Sequence, residues 1–134
     1  MKEIEEGSEL QLDFTKLQKV AKTGLPVVPV VVQDADSKEV LVVAYSNQAA
    51  LEHSLKTGIA TFWSTSRNEL WIKGATSGDK LQIVDIRVNC EQNSLLYLVR
   101  MVGGGVCHTR DAEGKTRRTC YYRSLKEGKL TFLE

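Results

Sequence analysis

No stretch of the 134-residue chain approaches the run of about 18 apolar residues that a membrane-crossing helix needs. The opening Met1-Lys2-Glu3-Ile4-Glu5-Glu6 also lacks the charged-then-apolar pattern of a secretory leader, so the expected location is cytoplasmic. Neither sign of charge is in excess: Lys and Arg number 18 against 17 Asp and Glu, and the basic residues are scattered. That excludes the broad electrostatic footprint of a nucleic-acid binder, although local basic clusters can still hold a phosphate. Cysteine is scarce, with only Cys90, Cys107 and Cys120. An odd number cannot all pair within one chain, and a reducing compartment disfavours disulfides, which leaves thiol, core or metal roles. Repeats, low-complexity tracts and linkers are absent too, and the length suits one domain.

What is present alternates between helical and strand periods. The acidic opening to about Leu10 has little to bury and is expected to fray, giving an arm over residues 1–12 and one domain over 13–134. Phe14, Leu17, Val20 and Ala21 recur at helical spacing, with Asp13 as N-cap and Gly24 then Pro26 as stop signals. Runs 27–32 and 40–45 are rich in β-branched residues and flank Asp34-Ala35-Asp36-Ser37-Lys38, which predicts a hairpin. A second helix should start at Asn47, carry Ala50, Leu51, Ser54 and Leu55 on one face, and end at Gly58. Strands are then expected over 60–64, 69–72, 81–90, 95–102 and 130–133. In the long one, Val84, Ile86, Val88 and Cys90 would form an apolar face opposite Asp85, Arg87, Asn89 and Glu91. The predicted class is α+β, mostly antiparallel β-sheet with two short helices.

Two segments carry candidate chemistry. The stretch from Phe62 to Gly78 combines Arg67 and Lys73 with hydroxyls and glycines, the ingredients of a phosphate-binding loop. The alternative is that Trp63 and Trp71 pack the core while Ser, Thr and Gly close hairpin turns. Further on, Gly103-Gly104-Gly105-Val106-Cys107-His108-Thr109 sets a thiol beside an imidazole, and Arg117-Arg118-Thr119 precedes Cys120. Cationic neighbours favour thiolate, the form a metal needs. The separation of Cys107 and Cys120 is not that of a metal knuckle, and each cysteine alone also suits a buried core position. A nucleophilic Cys107–His108 pair is disfavoured, because adjacent residues of an extended chain point to opposite faces.

Taken in order, these residues resemble one family. Val32-Gln33-Asp34, Ala44-Tyr45 with Asn47, Thr61-Phe62-Trp63-Ser64 with Ser66-Arg67, Leu70-Trp71, Lys73-Gly74 and Thr76-Ser77-Gly78 follow the pattern of phosphoribosyl-AMP cyclohydrolases. So do Cys107-His108-Thr109 and the run from Arg117 to Arg123. The resemblance implies an intertwined homodimer in which Cys90, Cys107 and Cys120, supplied by two subunits, hold a catalytic zinc with one open position. It implies hydrolysis of the N1–C6 bond of the adenine ring of phosphoribosyl-AMP, a step of histidine biosynthesis, by a water that zinc activates. Three thiolates outweigh the charge of zinc, so help with the proton is expected, and His108 is the candidate general base. Trp63, Ser64, Arg67, Lys73, Thr76, Ser77, Gly78 and Arg123 are the candidates for binding the substrate and its two phosphates.

The chain also departs from the family pattern. Where the family usually shows Asp-Cys-Asp-x-Asp, associated with magnesium, this chain has Asn89-Cys90-Glu91-Gln92-Asn93. Magnesium relies on carboxylate oxygens, so Asn89, Glu91 and Asn93 predict a weakened magnesium site, or magnesium arriving with substrate phosphate. All three are expected to share one strand face, opposite Cys90. Residues 110–115 lengthen the usual separation of Cys107 and Cys120 and have the composition of an exposed turn, absorbed at modest entropic cost. Ser46 stands where the family commonly has Met. These departures keep open two other readings, a related zinc hydrolase or deaminase acting on another purine-like or pterin-like nucleotide, and a zinc-stabilised dimer without catalysis.

Overall fold

The computed structural model describes residues 3–75 and 77–134. Its centre is a four-stranded sheet of order β2-β1-β6-β5, built from β1 (Val28–Asp34), β2 (Val40–Ser46), β5 (Leu81–Val88) and β6 (Leu95–Met101). Small hairpins β3 (Thr61–Ser64) with β4 (Glu69–Ile72) and β7 (Arg123–Lys126) with β8 (Lys129–Phe132) flank it. Helices are short: α1 (Glu3–Glu6), α2 (Lys16–Lys22) and α3 (Gln48–Thr57). The α+β class holds, but the sheet is mixed. β1 and β6 run parallel, which the long excursion through α3, β3, β4 and β5 permits, since a parallel pair needs an extended crossover.

Alternation explains the core. Val30 and Val32 of β1 are fully buried on one face, and Leu41, Phe62, Leu81, Tyr97 and Val99 close over them. Phe62 meets Trp71 at 5.6 Å and Tyr97 at 5.8 Å between ring centroids, within the range at which aromatic pairs attract. The β3/β4 hairpin is thereby pinned to the central sheet. α3 matches its sequence signals: the Asn47 side chain accepts from Ala50 N, and Gly58 closes the helix at φ 74°. Ala50 and Ser54 are buried, whereas Leu55 lies outside the packed face and is exposed.

Several expectations are corrected. The single apolar face from Val84 to Cys90 does not form. A bulge between Ile83 and Asp85 inserts a residue and reverses the alternation, so Leu81, Ile83 and Ile86 pack inward and Val84 is exposed; Val88, on the Ile86 side, is exposed at the end of the strand. β5 ends at Val88, and Cys90 sits exposed in the turn that follows. Asn89, Glu91 and Asn93 therefore do not share a strand face. Asn89 Oδ1 accepts the backbone N–H groups of Asn93 and Ser94 at 2.9 Å each, and its amide donates to Asn93 Oδ1 at 2.6 Å. Asn can satisfy backbone donors from its own side chain, and that preference ends the strand here.

α2 starts two residues later than its pattern suggests, after Thr15 rather than Asp13. Asp13 instead accepts from the Thr15 backbone N–H at 2.9 Å. Only Val20 of the expected apolar stripe is buried, and Phe14 and Leu17 are 86% and 71% exposed. β7 was not expected; Glu127 at φ 52° and Gly128 at φ 78° supply its two-residue turn. Finally, the acidic arm does not fray. Tyr122 Oη donates to Glu5 O, Arg123 donates to Ile4 O and Gly7 O, and Leu130 N donates to Ser8 O. The arm has little apolar surface to bury, but it has carbonyls and carboxylates that match a basic face.

Candidate active site

Two neighbouring loops build the site because glycine lets them approach. After β4, the chain turns through Gly74 at φ 79°, where a Cβ would come within 2.2 Å of the Asp79 carbonyl carbon. No other residue fits that approach without moving the backbone. Lys73 folds over this turn, 8% exposed, with Nζ 3.4 Å from Asp79 O. Asp79 Oδ1 accepts from Gly104 N at 3.2 Å, which ties the triple-glycine segment to the same turn. The backbone then leads to Cys107, where Val106 N and Cys107 N both donate to Arg117 O at 3.1 Å. Cys120 is fixed separately, its N–H donating to Leu41 O of β2 at 2.8 Å.

The result is a cleft of about 810 Å³. The β3/β4 segment contributes Trp63, Ser64, Arg67, Lys73 and Ser77, and the later segment contributes Cys107, His108 and Cys120. Ser64 Oγ accepts from Arg67 N at 3.2 Å and so shapes the β3–β4 turn. The buried Trp63 Nε1–H has no partner among the described residues, so it is a donor that a group reaching that depth beside the cleft would satisfy. The expectation that adjacent Cys107 and His108 diverge is met: Cys107 is buried, with Sγ 3.0 Å from Thr109 Oγ1, and the His108 side chain is 80% exposed.

Cys107 and Cys120 line the same part of the cleft, and burial, with Cys107 alongside, pushes the Cys120 thiol up to about 12. Two thiolates this close repel unless a cation lies between them. The cation the chain itself supplies is Lys73, whose pKa burial lowers while Asp79 and the two thiols oppose the fall. Arg117 and Arg118, expected from sequence to favour thiolate, are engaged elsewhere. Arg118 binds Asp34 at 2.5 Å and Glu39 at 2.6 Å. Arg117 is buried between Glu6 and Glu134, at 2.6 Å from each, with its guanidinium 4.1 Å from the Tyr122 ring centroid.

Other sequence-predicted residues lie outside the cleft. Arg123 holds the carbonyls of the arm. Gly78 closes the turn through its N–H to Gly74 O at 2.9 Å. Cys90, Asn89, Glu91 and Asn93 belong to the turn after β5, and Thr76 is outside the described residues. Within one chain, no group of three or more His, Cys, Asp and Glu among the described residues is arranged to hold a metal. Sequence reasoning missed Arg110, which lines the cleft from the first position of the lengthened turn. It also missed Glu5, whose carboxylate reaches His108 Nε2 at 2.5 Å. The acidic composition of the arm was the available signal, but nothing in the sequence paired it with a histidine more than 100 positions away.

A family model described as phosphoribosyl-AMP cyclohydrolase matches residues 42–122, which contain Cys107, Cys120 and every other cleft-lining residue except Lys16. A phosphoribosyl-AMP cyclohydrolase of Desulfatibacillum aliphaticivorans is 40% identical over 122 residues, covering 91% of this chain and 87% of the relative. One from Methanosarcina acetivorans is 51% identical over 96 residues, covering 72% and 74%. Another from Archaeoglobus fulgidus is 45% identical over 100 residues, covering 75% and 86%. Relatedness at this level over most of both chains, with the matched span supplying nearly all of the cleft, makes this chain a member of the phosphoribosyl-AMP cyclohydrolase family of enzymes.

Proposed function

We propose that the protein hydrolyses the N1–C6 bond of the adenine ring of phosphoribosyl-AMP, opening the purine in histidine biosynthesis. The observation that carries this reading is the cleft itself. Around one volume it gathers the Cys107 and Cys120 thiols, an imidazole, an indole whose N–H is unpaired among the described residues, and the cations Lys16, Arg67, Lys73 and Arg110. A ligand with two phosphates and a planar ring asks for that combination.

The donor set suits zinc. Two cysteines lining one cleft lack only further ligands and a counter-charge. Cys107 and Cys120 would hold the metal together with Cys90 of the partner subunit, because this chain's own Cys90 lies in the exposed turn after β5. Zinc, when bound in such a three-cysteine site, supplies the Lewis acidity that makes water nucleophilic near neutral pH. His108 takes one proton from the attacking water while the water oxygen bonds to C6. As the N1–C6 bond breaks, that proton passes to N1. Starting from the imino form of the ring, the second water proton ends on the exocyclic nitrogen, leaving a carboxamide and an amidine. Arg67 and Lys73 hold phosphate, and Trp63 Nε1 donates to the ligand.

Magnesium fits less well as a resident ion. Asn89 Oδ1 already accepts two backbone N–H groups, and Asn93 Oδ1 accepts the Asn89 amide. Glu91 then remains the one carboxylate, and no step is assigned to magnesium. It would arrive with the substrate phosphates. Metal analysis joined to an ultraviolet assay of phosphoribosyl-AMP tests the reading. Turnover that depends on zinc is expected, and zinc-loaded protein that leaves the substrate unchanged would overturn it.

A further inference from the structure

The geometry points to Glu5 as a positioning residue that fixes the tautomer and orientation of His108, with the N-terminal arm as its mount. This rests on the reading of His108 as proton acceptor. The Glu5 carboxylate meets His108 Nε2 at 2.5 Å. An ionised carboxylate only accepts hydrogen bonds, so the Nε2 of the neutral ring must carry the proton, and Nδ1 is left as the basic nitrogen. His108 has little else to hold it, since its side chain is 80% exposed while that of Glu5 is 28% exposed. Partners of this kind orient functional imidazoles in many sites, and losing one costs about tenfold or more in activity.

The contact is not a chance meeting of two surface side chains. Glu5 sits on a four-residue helix secured at several points. Its own carbonyl accepts from Tyr122 Oη at 2.7 Å, and its neighbour Glu6 binds buried Arg117 through both carboxylate oxygens, at 2.6 and 3.0 Å. Arg123 donates to Ile4 O at 2.7 Å and to Gly7 O at 2.9 Å, on either side of Glu5. The arginine that sequence reasoning gave to phosphate thus holds the arm that presents Glu5. A side chain delivered by a backbone with this many anchors is held at a defined position, which a positioning role requires.

The test compares Glu5→Ala, His108→Ala and the double variant in turnover of phosphoribosyl-AMP, alongside ¹⁵N NMR of the neutral His108 ring. Glu5→Ala should lower kcat about tenfold with KM within about twofold. In the His108→Ala background it should change nothing further, because a residue that acts through another has no effect once that other is gone. Wild-type spectra should show the proton on Nε2, and Glu5→Ala should show a mixture of tautomers. Equal losses in both backgrounds, unaltered Glu5→Ala kinetics, or a proton on Nδ1 in the wild type would each overturn the positioning role. Wild-type protein without any turnover would instead overturn the functional reading, and with it the role of His108 as proton acceptor that Glu5 serves.

Discussion

Replacing Arg117 should be the most damaging single change outside the cleft. Its side chain is 4% exposed and binds Glu6, Glu134 and Thr109 Oγ1 while stacking on Tyr122. Breaking a buried ion pair by removing one partner costs about 3–5 kcal/mol. The low end applies here, because the carboxylates of Glu6 and Glu134 are 29% and 36% exposed and can rehydrate. Loss of the guanidinium from the Tyr122 ring adds about 1 kcal/mol, part of which a methionine sulfur recovers. Arg117→Met should therefore destabilise by about 3–4 kcal/mol, lowering Tm by roughly 10 °C in a chain of this size. Thermal and urea unfolding at one protomer concentration measure it. Arg117→Lys should fall between, since an ammonium keeps the charge but not the fork that grips two carboxylates. A loss below about 1 kcal/mol in Arg117→Met would refute the reasoning, because it would put this ion pair among ordinary surface pairs.

Acid should loosen the same contact. Glu6 is held below its ordinary value of 4.5, chiefly by the hydrogen bond from Arg117, so its contribution is complete above that pH and lost as pH falls through the lowered value. Glu6→Gln should flatten the decline of the urea midpoint below about pH 4.5, and an unchanged slope would count against the assignment. Gly105→Ala should disrupt the cleft, because its Cβ would lie 2.4 Å from Arg117 O, the acceptor of Cys107 N. Reduced zinc retention in equilibrium dialysis is the expected outcome. Mixing Cys90→Ala with Cys107→Ala chains tests the shared site. Each mixed dimer would keep one intact site of two, and statistical mixing makes about half the dimers mixed, so about a quarter of wild-type turnover should return. A site contained in one chain would restore none.

Local chemistry was legible in the sequence wherever short-range signals decide structure. Asn47 and Gly58 bound α3 because capping needs only the residues on the page. The clustering of Trp63, Ser64, Arg67 and Lys73 was legible because one hairpin and one turn carry them all. What failed depended on distant partners or on a parity change. The bulge beyond Ile83 reversed the faces of β5 without any Gly or Pro to announce it. Arg123, expected at phosphate, and Arg117, expected to favour thiolate, find their partners instead in the arm and at Glu134. The α2 stripe was read correctly as apolar, yet apolar character does not say that this chain supplies the surface to cover Phe14 and Leu17.

Arg117 shows why arm and cleft should be treated as one unit. Its carbonyl accepts the N–H groups of Val106 and Cys107, which sets where the Cys107 thiol stands. Its guanidinium grips Glu6, which sets where Glu5 stands. Thr109 completes the circuit, accepting from Arg117 Nη1 at 3.1 Å while its hydroxyl lies 3.0 Å from Cys107 Sγ. A displacement of the arm is then felt at the thiol through one buried side chain rather than through a flexible surface, because packed interiors transmit small shifts. Glu5 and the Cys107 thiol thus depend on the same residue for position. A substitution at Arg117 should accordingly impair zinc retention and His108 orientation together, whereas one at Glu5 should affect the imidazole alone.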